Sequence, residues 1–215
     1  MLRNYLSLFL CLMCLGGIAR AHPHVFVDAS TGFIFDAERD LRALRISWTY
    51  DEFTTLVLFE SLNLDQDGDG QLNDADRRAI IEGETNWEPE YKGDVYFEVA
   101  GRNYPLGRPE AAVVSFKDNR IEVSFDLPLL QSLKIGRTPT LLRLYDPLFY
   151  YAYTILPAAN PVDLPEGCQS QVVPFEPNAV EQALQEKLAA LGREETPEQE
   201  NVGRLFSDEV RLTCG

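Results

Sequence analysis

Two segments near the start of the chain, HVFVDASTGFIFDA and LRALRISWTY, alternate apolar and polar residues in steps of two, and the segment after them abandons that period. Alternation puts successive side chains on opposite faces of an extended backbone, so both segments predict strands, joined between Asp36 and Asp40. In DEFTTLVLFESLN the apolar residues Phe53, Leu56, Phe59 and Leu62 recur every three positions with Val57 alongside, which predicts a helix capped by Asp51. A polar loop and a second short helix, about Asp74 to Glu82, follow. Strand patterns return in DVYFEVA, AAVVSFK, RIEVSFDL, TLLRLYD and YYAYTIL, and later in EVRLTC, while Asn178 to Leu191 predicts an amphipathic helix starting after Pro177. The expected fold is therefore α+β: one mainly antiparallel, sandwich-like β domain over 22–215, with a helix-loop-helix inserted at 51–83 and a C-terminal helix.

The loop inside that insertion reads DQDGDGQLNDAD, Asp65 to Asp76. Asp65, Asp67 and Asp69 occupy positions 1, 3 and 5 of a calcium loop, and Gln71 at position 7 offers its backbone carbonyl. Gly70 stands at position 6, where the turn requires a conformation that glycine adopts without steric cost. Leu72 supplies the loop's core contact, Asn73 acts through water or caps the second helix, and Asp76 closes the loop at position 12. Asp76 is one methylene shorter than the glutamate usual there, which predicts weaker Ca²⁺ affinity or some tolerance of Mg²⁺. A single loop points to a structural ion that pins two helices, because sensors that open a groove work as pairs. An acidic surface turn without an ion is the plain alternative.

Residues 1–21, MLRNYLSLFLCLMCLGGIARA, have an early arginine, a short apolar run and a small-x-small end, the form of a secretory signal peptide cleaved after Ala21. The run is too short to span a hydrocarbon core of roughly 30 Å, and no later segment is long enough, so no membrane span is expected after cleavage. The leader takes away Arg3 and Arg20 and no acid. What remains is 17 basic and 34 acidic residues, a formal charge of −17 over 194 residues. Such a chain repels phosphates, which argues against nucleic acid, and attracts cations. Cys168 and Cys214 are left as the cysteines of an exported chain and predict a disulfide, with a metal-thiolate pair as the alternative.

Cleavage after Ala21 would make His22 the first residue, joining an imidazole to a free α-amine. His24 follows two positions later on the same face, with Phe26 and Asp28 continuing it. Pro23 lacks the N–H that a square-planar amide chelate must give up, so that copper or nickel mode is blocked. Amine and imidazole of His22, imidazole of His24 and one or two carboxylates suit Zn²⁺, Ni²⁺, Co²⁺ or Cu²⁺. Asp51 with its neighbour Glu52, and Asp146, are the acids considered, with structural alternatives in Asp51 as a helix cap and Asp146 as a turn residue before Pro147. Tyr145, Phe149, Tyr150, Tyr151 and Tyr153 read as core or sheet-face aromatics. Two solvated histidines on a fraying terminus is the competing picture.

The segments AHPHVFVDA, ISWTYDEF, DQDGDGQL, LYDPLFYYAY, the GC at Gly167–Cys168 and NVGRLFSDEVRLTC together resemble the bacterial DUF1007 family over nearly the whole mature chain. The resemblance implies an exported periplasmic protein, a component of a transport system associated with nickel, cobalt or zinc permeases, and brings no catalytic activity. Residue by residue it supports His22 and His24 as the His-Pro-His start, Asp51 in Trp-x-x-Asp-Glu, the Asp65 to Asp76 loop, and Asp146 in Tyr-Asp-Pro. Family members commonly close the loop with Glu, where this chain has Asp76.

Three functions follow from these residues. The first is a periplasmic metal-binding accessory protein, not an enzyme, with metal ions as ligands and a membrane metal transporter as partner. The second is a copper oxidoreductase with an N-terminal histidine brace, which lacks a distant third histidine. The third is an adhesion or scaffold module stabilised by calcium. Nucleophilic catalysis has no support, there being no Gly-x-Ser-x-Gly elbow and no further histidine to act as base.

Overall fold

The computed structural model describes residues 22–157, 164–192 and 195–215. The expected signal peptide, residues 1–21, lies outside these residues. Strand β1 (Val25–Phe35) turns through Asp36 to Asp40 into β2 (Leu41–Tyr50). The Asp40 N–H donates to the Asp36 carboxylate at 2.8 Å and closes the turn. Then come helices α1 (Glu52–Ser61) and α2 (Asp74–Thr85), strands β3 (Val95–Val99), β4 (Arg102–Asn103), β5 (Glu110–Lys117), β6 (Arg120–Leu133), β7 (Thr140–Leu144), β8 (Tyr151–Ile155) and β9 (Cys168–Val173). Helix α3 (Ala179–Ala189), a 3₁₀ turn (Val202–Phe206) and β10 (Glu209–Cys214) complete the chain.

The strands form two five-stranded sheets, ordered β5-β6-β2-β1-β8 and β4-β3-β7-β10-β9. Pairing is antiparallel except between β1 and β8, which run parallel with Val25 opposite Tyr151 and Ala29 opposite Ile155. Alternation in β2 sends Leu44 and Ile46 inward, where they meet Phe125 of β6 and Phe97, Leu142 and Leu212 of the second sheet. All are almost fully buried, and each such side chain contributes about 1.5–3 kcal/mol by leaving water. The expected α+β sandwich with an inserted helix-loop-helix is what forms. Strand β9 went unread in the sequence, because CQSQVV is mostly polar and its pattern is half exposed.

Helix α1 departs from the expected apolar stripe. Thr55 is its buried residue, and the Ile121 N–H donates to the Thr55 hydroxyl at 3.1 Å, fastening the helix to the start of β6. Phe59 packs on Phe116 of β5, whereas Phe53, Leu56 and Val57 face solvent. The helix is apolar around most of its circumference, so spacing alone does not tell which side is covered. Helix α2 starts at an Asn73 capping box, buries Ile80, and sends Arg77 to the Val114 carbonyl of β5 at 2.6 Å. Helix α3 also begins at a capping box, on Asn178, and covers a second small core of Phe149, Leu188, Val202 and Phe206.

Cys168 and Cys214 are bonded, opposite each other on β9 and β10. The bridge closes a segment with a sequence separation of 46 and ties the C-terminal strand to the body, about 4 kcal/mol in the chain-entropy account. No helix among the described residues is long and apolar enough to cross a membrane.

Candidate metal centres

The acidic loop between α1 and α2 draws three carboxylates together. Ligand oxygens of Asp65, Asp67 and Asp69 lie within 4.8 Å of one another, and among the described residues this is the one group of three or more His, Cys, Asp or Glu side chains that converges so. The backbone explains why. Asp65 accepts the N–H of Asp69 at 2.9 Å and that of Gly70 at 3.1 Å, and Asp69 accepts the N–H of Gln71 at 2.8 Å, which curls the chain around its own acids. Gly70 has φ +76°, where an L side chain is strained, so glycine at position 6 is a geometric requirement. Leu72 turns inward and joins the main core.

Asp76 stands apart from the three acids. It is 6% exposed, and its carboxylate accepts the Asn73 N–H at 2.9 Å while Asn73 accepts the N–H of Ala75 and Asp76. The residue at the twelfth loop position is thus the reciprocal half of the α2 capping box. Gln71 is exposed.

The histidine pair lies at the mouth of β1. Ring centroids of His22 and His24 are 4.8 Å apart, edge to face. The ring of Tyr150 lies 4.4 Å from that of His24 and 6.1 Å from that of His22. His22 is 5% exposed, and its Nδ1 is buried without a hydrogen-bond partner. A buried ring nitrogen with no partner forgoes a hydrogen bond, so its surroundings suit a group that would engage it.

Asp51 and Asp146 hold the backbone on either side of this pair. One Asp51 oxygen accepts the Phe26 N–H at 3.0 Å and the Thr54 hydroxyl at 2.8 Å; the other accepts the Thr54 N–H at 2.8 Å. Burial works to raise its pKa, but the bonds from Thr54, Phe26 and Phe53 outweigh it and hold the carboxyl below its ordinary value. Asp146 accepts the N–H of Leu148 at 3.1 Å, of Tyr150 at 2.6 Å and of Tyr151 at 3.2 Å, shaping the turn that presents Tyr150. The His24 N–H in turn donates to the Tyr150 carbonyl at 2.8 Å. No three of His22, His24, Asp51 and Asp146 converge as the loop acids do.

Behind the turn lies a buried polar cluster that the sequence did not single out. Asp94, 5% exposed, accepts the Tyr153 hydroxyl at 2.9 Å, and the Tyr50 hydroxyl donates to Glu84 at 2.6 Å. Burial first, then the negative charge of Asp146, pushes the Asp94 carboxyl up to about 7, with hydrogen bonds from Tyr153 and Tyr91 acting the other way. Gly203 packs against the same turn so closely that a Cβ there would sit 1.9 Å from the Asp146 carbonyl oxygen. Neither position carries a local signal. Asp94 reads as the polar first residue of the strand pattern DVYFEVA, and Gly203 as one glycine among fourteen.

Two five-stranded sheets, a cysteine bridge, an acidic loop and a histidine pair are the features that define the class. The model of the family described as "Protein of unknown function (DUF1007)" matches residues 7–214, and the chain belongs to that family. It is 25% identical over 214 residues to an uncharacterized protein of Haemophilus influenzae, covering 97% of this chain and 98% of the relative. No solved structure gives a significant match.

Proposed function

We propose that the protein is an exported, periplasmic metal-binding accessory protein of a transition-metal transport system, with Ca²⁺ in the Asp65 loop and the transferred metal at His22 and His24. The observation that carries this reading is the approach of the only two histidines to 4.8 Å beside Tyr150, with His22 buried. A fraying, solvated terminus would leave both rings apart and wet. Imidazole suits Zn²⁺, Ni²⁺, Co²⁺ and Cu²⁺, and an α-amine freed after Ala21 would add a third nitrogen on the same residue. Asp51 and Asp146 then serve as positioning residues, with Asp51 fixing Phe26 and Asp146 fixing Tyr150 on the two sides of His24. The calcium ion would be structural, held by Asp65, Asp67 and Asp69 with the Gln71 carbonyl, and would set the angle between α1 and α2.

The test is N-terminal sequencing of the exported protein, followed by titration of wild type and His24→Ala with Zn²⁺ and Ni²⁺ at saturating Ca²⁺. A start at His22 and a tight site lost in the variant support the reading. Identical curves, or no transition-metal binding in either protein, overturn it. The scaffold reading has one observation of its own, the exposed Phe53, Leu56 and Val57 of α1. It predicts a calcium-dependent fold with no transition-metal site.

A further inference from the structure

A cavity of about 1370 Å³ opens beside His22, between the β8 edge of the first sheet and helix α3. Cavities of roughly 300–1000 Å³ take small organic molecules, so a bare ion would leave this one almost empty. Its wall carries His22, the aromatic rings of Tyr151, Phe175 and Phe206, and the polar ends of Gln182 and Gln185. Among the described residues no Lys or Arg lines it, and its acids are Glu186 and Asp208. Asp208 is already engaged, accepting the Ile155 and Phe175 N–H groups at 2.8 Å each. Phosphates and polycarboxylates are therefore poor occupants, since no Lys or Arg among the described wall residues would offset their charge.

Resting on the metal-binding reading, we propose that this cavity takes the transition metal as a preformed, uncharged chelate with small amino-acid ligands, His22 supplying one nitrogen from the wall. Three observations converge on that class of ligand. His22 is buried with an unpartnered Nδ1 and lines the cavity. Among the described residues no group of three His, Cys, Asp or Glu includes it, so beyond His22 and His24 the chain leaves a metal's remaining coordination positions to donors that arrive with the ion. The described wall residues are aromatic and amide-bearing without a Lys or Arg, which fits a neutral complex whose organic parts pack on rings and whose carboxylate oxygens meet glutamine N–H groups. Two α-amino carboxylates around one divalent ion make such a neutral complex.

The experiment is calorimetric titration of the mature exported protein with Ni²⁺ alone, with Ni²⁺ in excess L-histidine, and with L-histidine alone. The nickel–histidine complex is expected to bind about tenfold tighter than Ni²⁺ alone, with free L-histidine not binding. Ala189→Trp, which narrows the α3 side of the cavity, is expected to weaken the complex about tenfold and leave the bare ion unaffected. If excess histidine instead strips nickel from wild type, the chelate proposal falls while the metal-binding reading stands. If neither form of nickel binds, both fall. Should Ala189→Trp not fold, as read from its thermal melt, the competition in wild type still decides.

Discussion

His24 and Tyr150 meet twice: the His24 N–H donates to the Tyr150 carbonyl at 2.8 Å, and their rings lie 4.4 Å apart. The backbone contact extends the parallel β1–β8 pairing outward, and the ring contact restricts the imidazole. Together they turn the N-terminal end of β1 into a fixed platform.

Removing the ring should loosen the platform without breaking the strand pairing, because the carbonyl stays. Tyr150→Ala is expected to weaken Zn²⁺ binding about tenfold, roughly 1.4 kcal/mol, while Tyr150→Phe stays within about twofold of wild type. Calorimetry on both variants checks this. Equal losses in the two would place the effect on the hydroxyl instead.

The acidic loop predicts a calcium-dependent melting temperature. At Ca²⁺ concentrations of about ten to a hundred times Kd, binding to the folded state alone adds about 1.4–2.7 kcal/mol, and EDTA removes it. Asp65→Ala should abolish the calcium response and also lower the calcium-free melting temperature, since Asp65 carries the N–H groups of Asp69 and Gly70. Asp76→Glu should tighten Ca²⁺ binding by lengthening the carboxylate at the loop's end. Thermal melts with and without calcium separate these effects.

Asp94 predicts a pH dependence. Its folded-state pKa of about 7 lies above the roughly 3.9 of an unfolded aspartate, so the fold favours the protonated form. The stability this supplies is fully present below about pH 4 and is lost as pH rises through 7, on the order of 4 kcal/mol once the group is ionised. Asp94→Asn keeps an acceptor for the Tyr153 hydroxyl and is expected to flatten the decline between pH 5 and 8. Denaturant unfolding across that range is the measurement. A slope unchanged in the variant would assign the dependence elsewhere.

Gly203→Ala tests the packing that holds the Asp146 turn. With a Cβ 1.9 Å from the Asp146 carbonyl, the 3₁₀ turn must move, at a cost of about 1–3 kcal/mol. The shift would also displace Tyr150, so weaker Zn²⁺ binding should accompany the loss of stability. A variant destabilised but unchanged in affinity would uncouple the turn from the histidines.

Much of this architecture was legible residue by residue. The alternation of LRALRISWTY required a strand with Leu44 and Ile46 on one face, and the Asp65–Gly70–Leu72 spacing required a tight acidic turn with one apolar anchor. These are local demands: backbone geometry ties neighbours within a few positions, and the pattern repeats with that geometry. CQSQVV escaped notice because β9 is an edge strand, whose register comes from β10 and the Cys168–Cys214 bridge. The exposed side of α1 was also unreadable, since its apolar residues surround the axis and the neighbouring β-strands choose the buried face.

By itself, then, the chain's order of residues settled most of the strands and helices, where the acidic turn lies, and that two histidines stand two positions apart. Only the assembled sheets decided that Tyr150 lies against His24, that Asp51 and Asp146 grip the backbone beside it, and that Asp94 is buried near Asp146. Contacts between distant positions depend on strand register, and register is chosen by burying both sheets' inner faces at once, a condition that no short stretch of sequence contains.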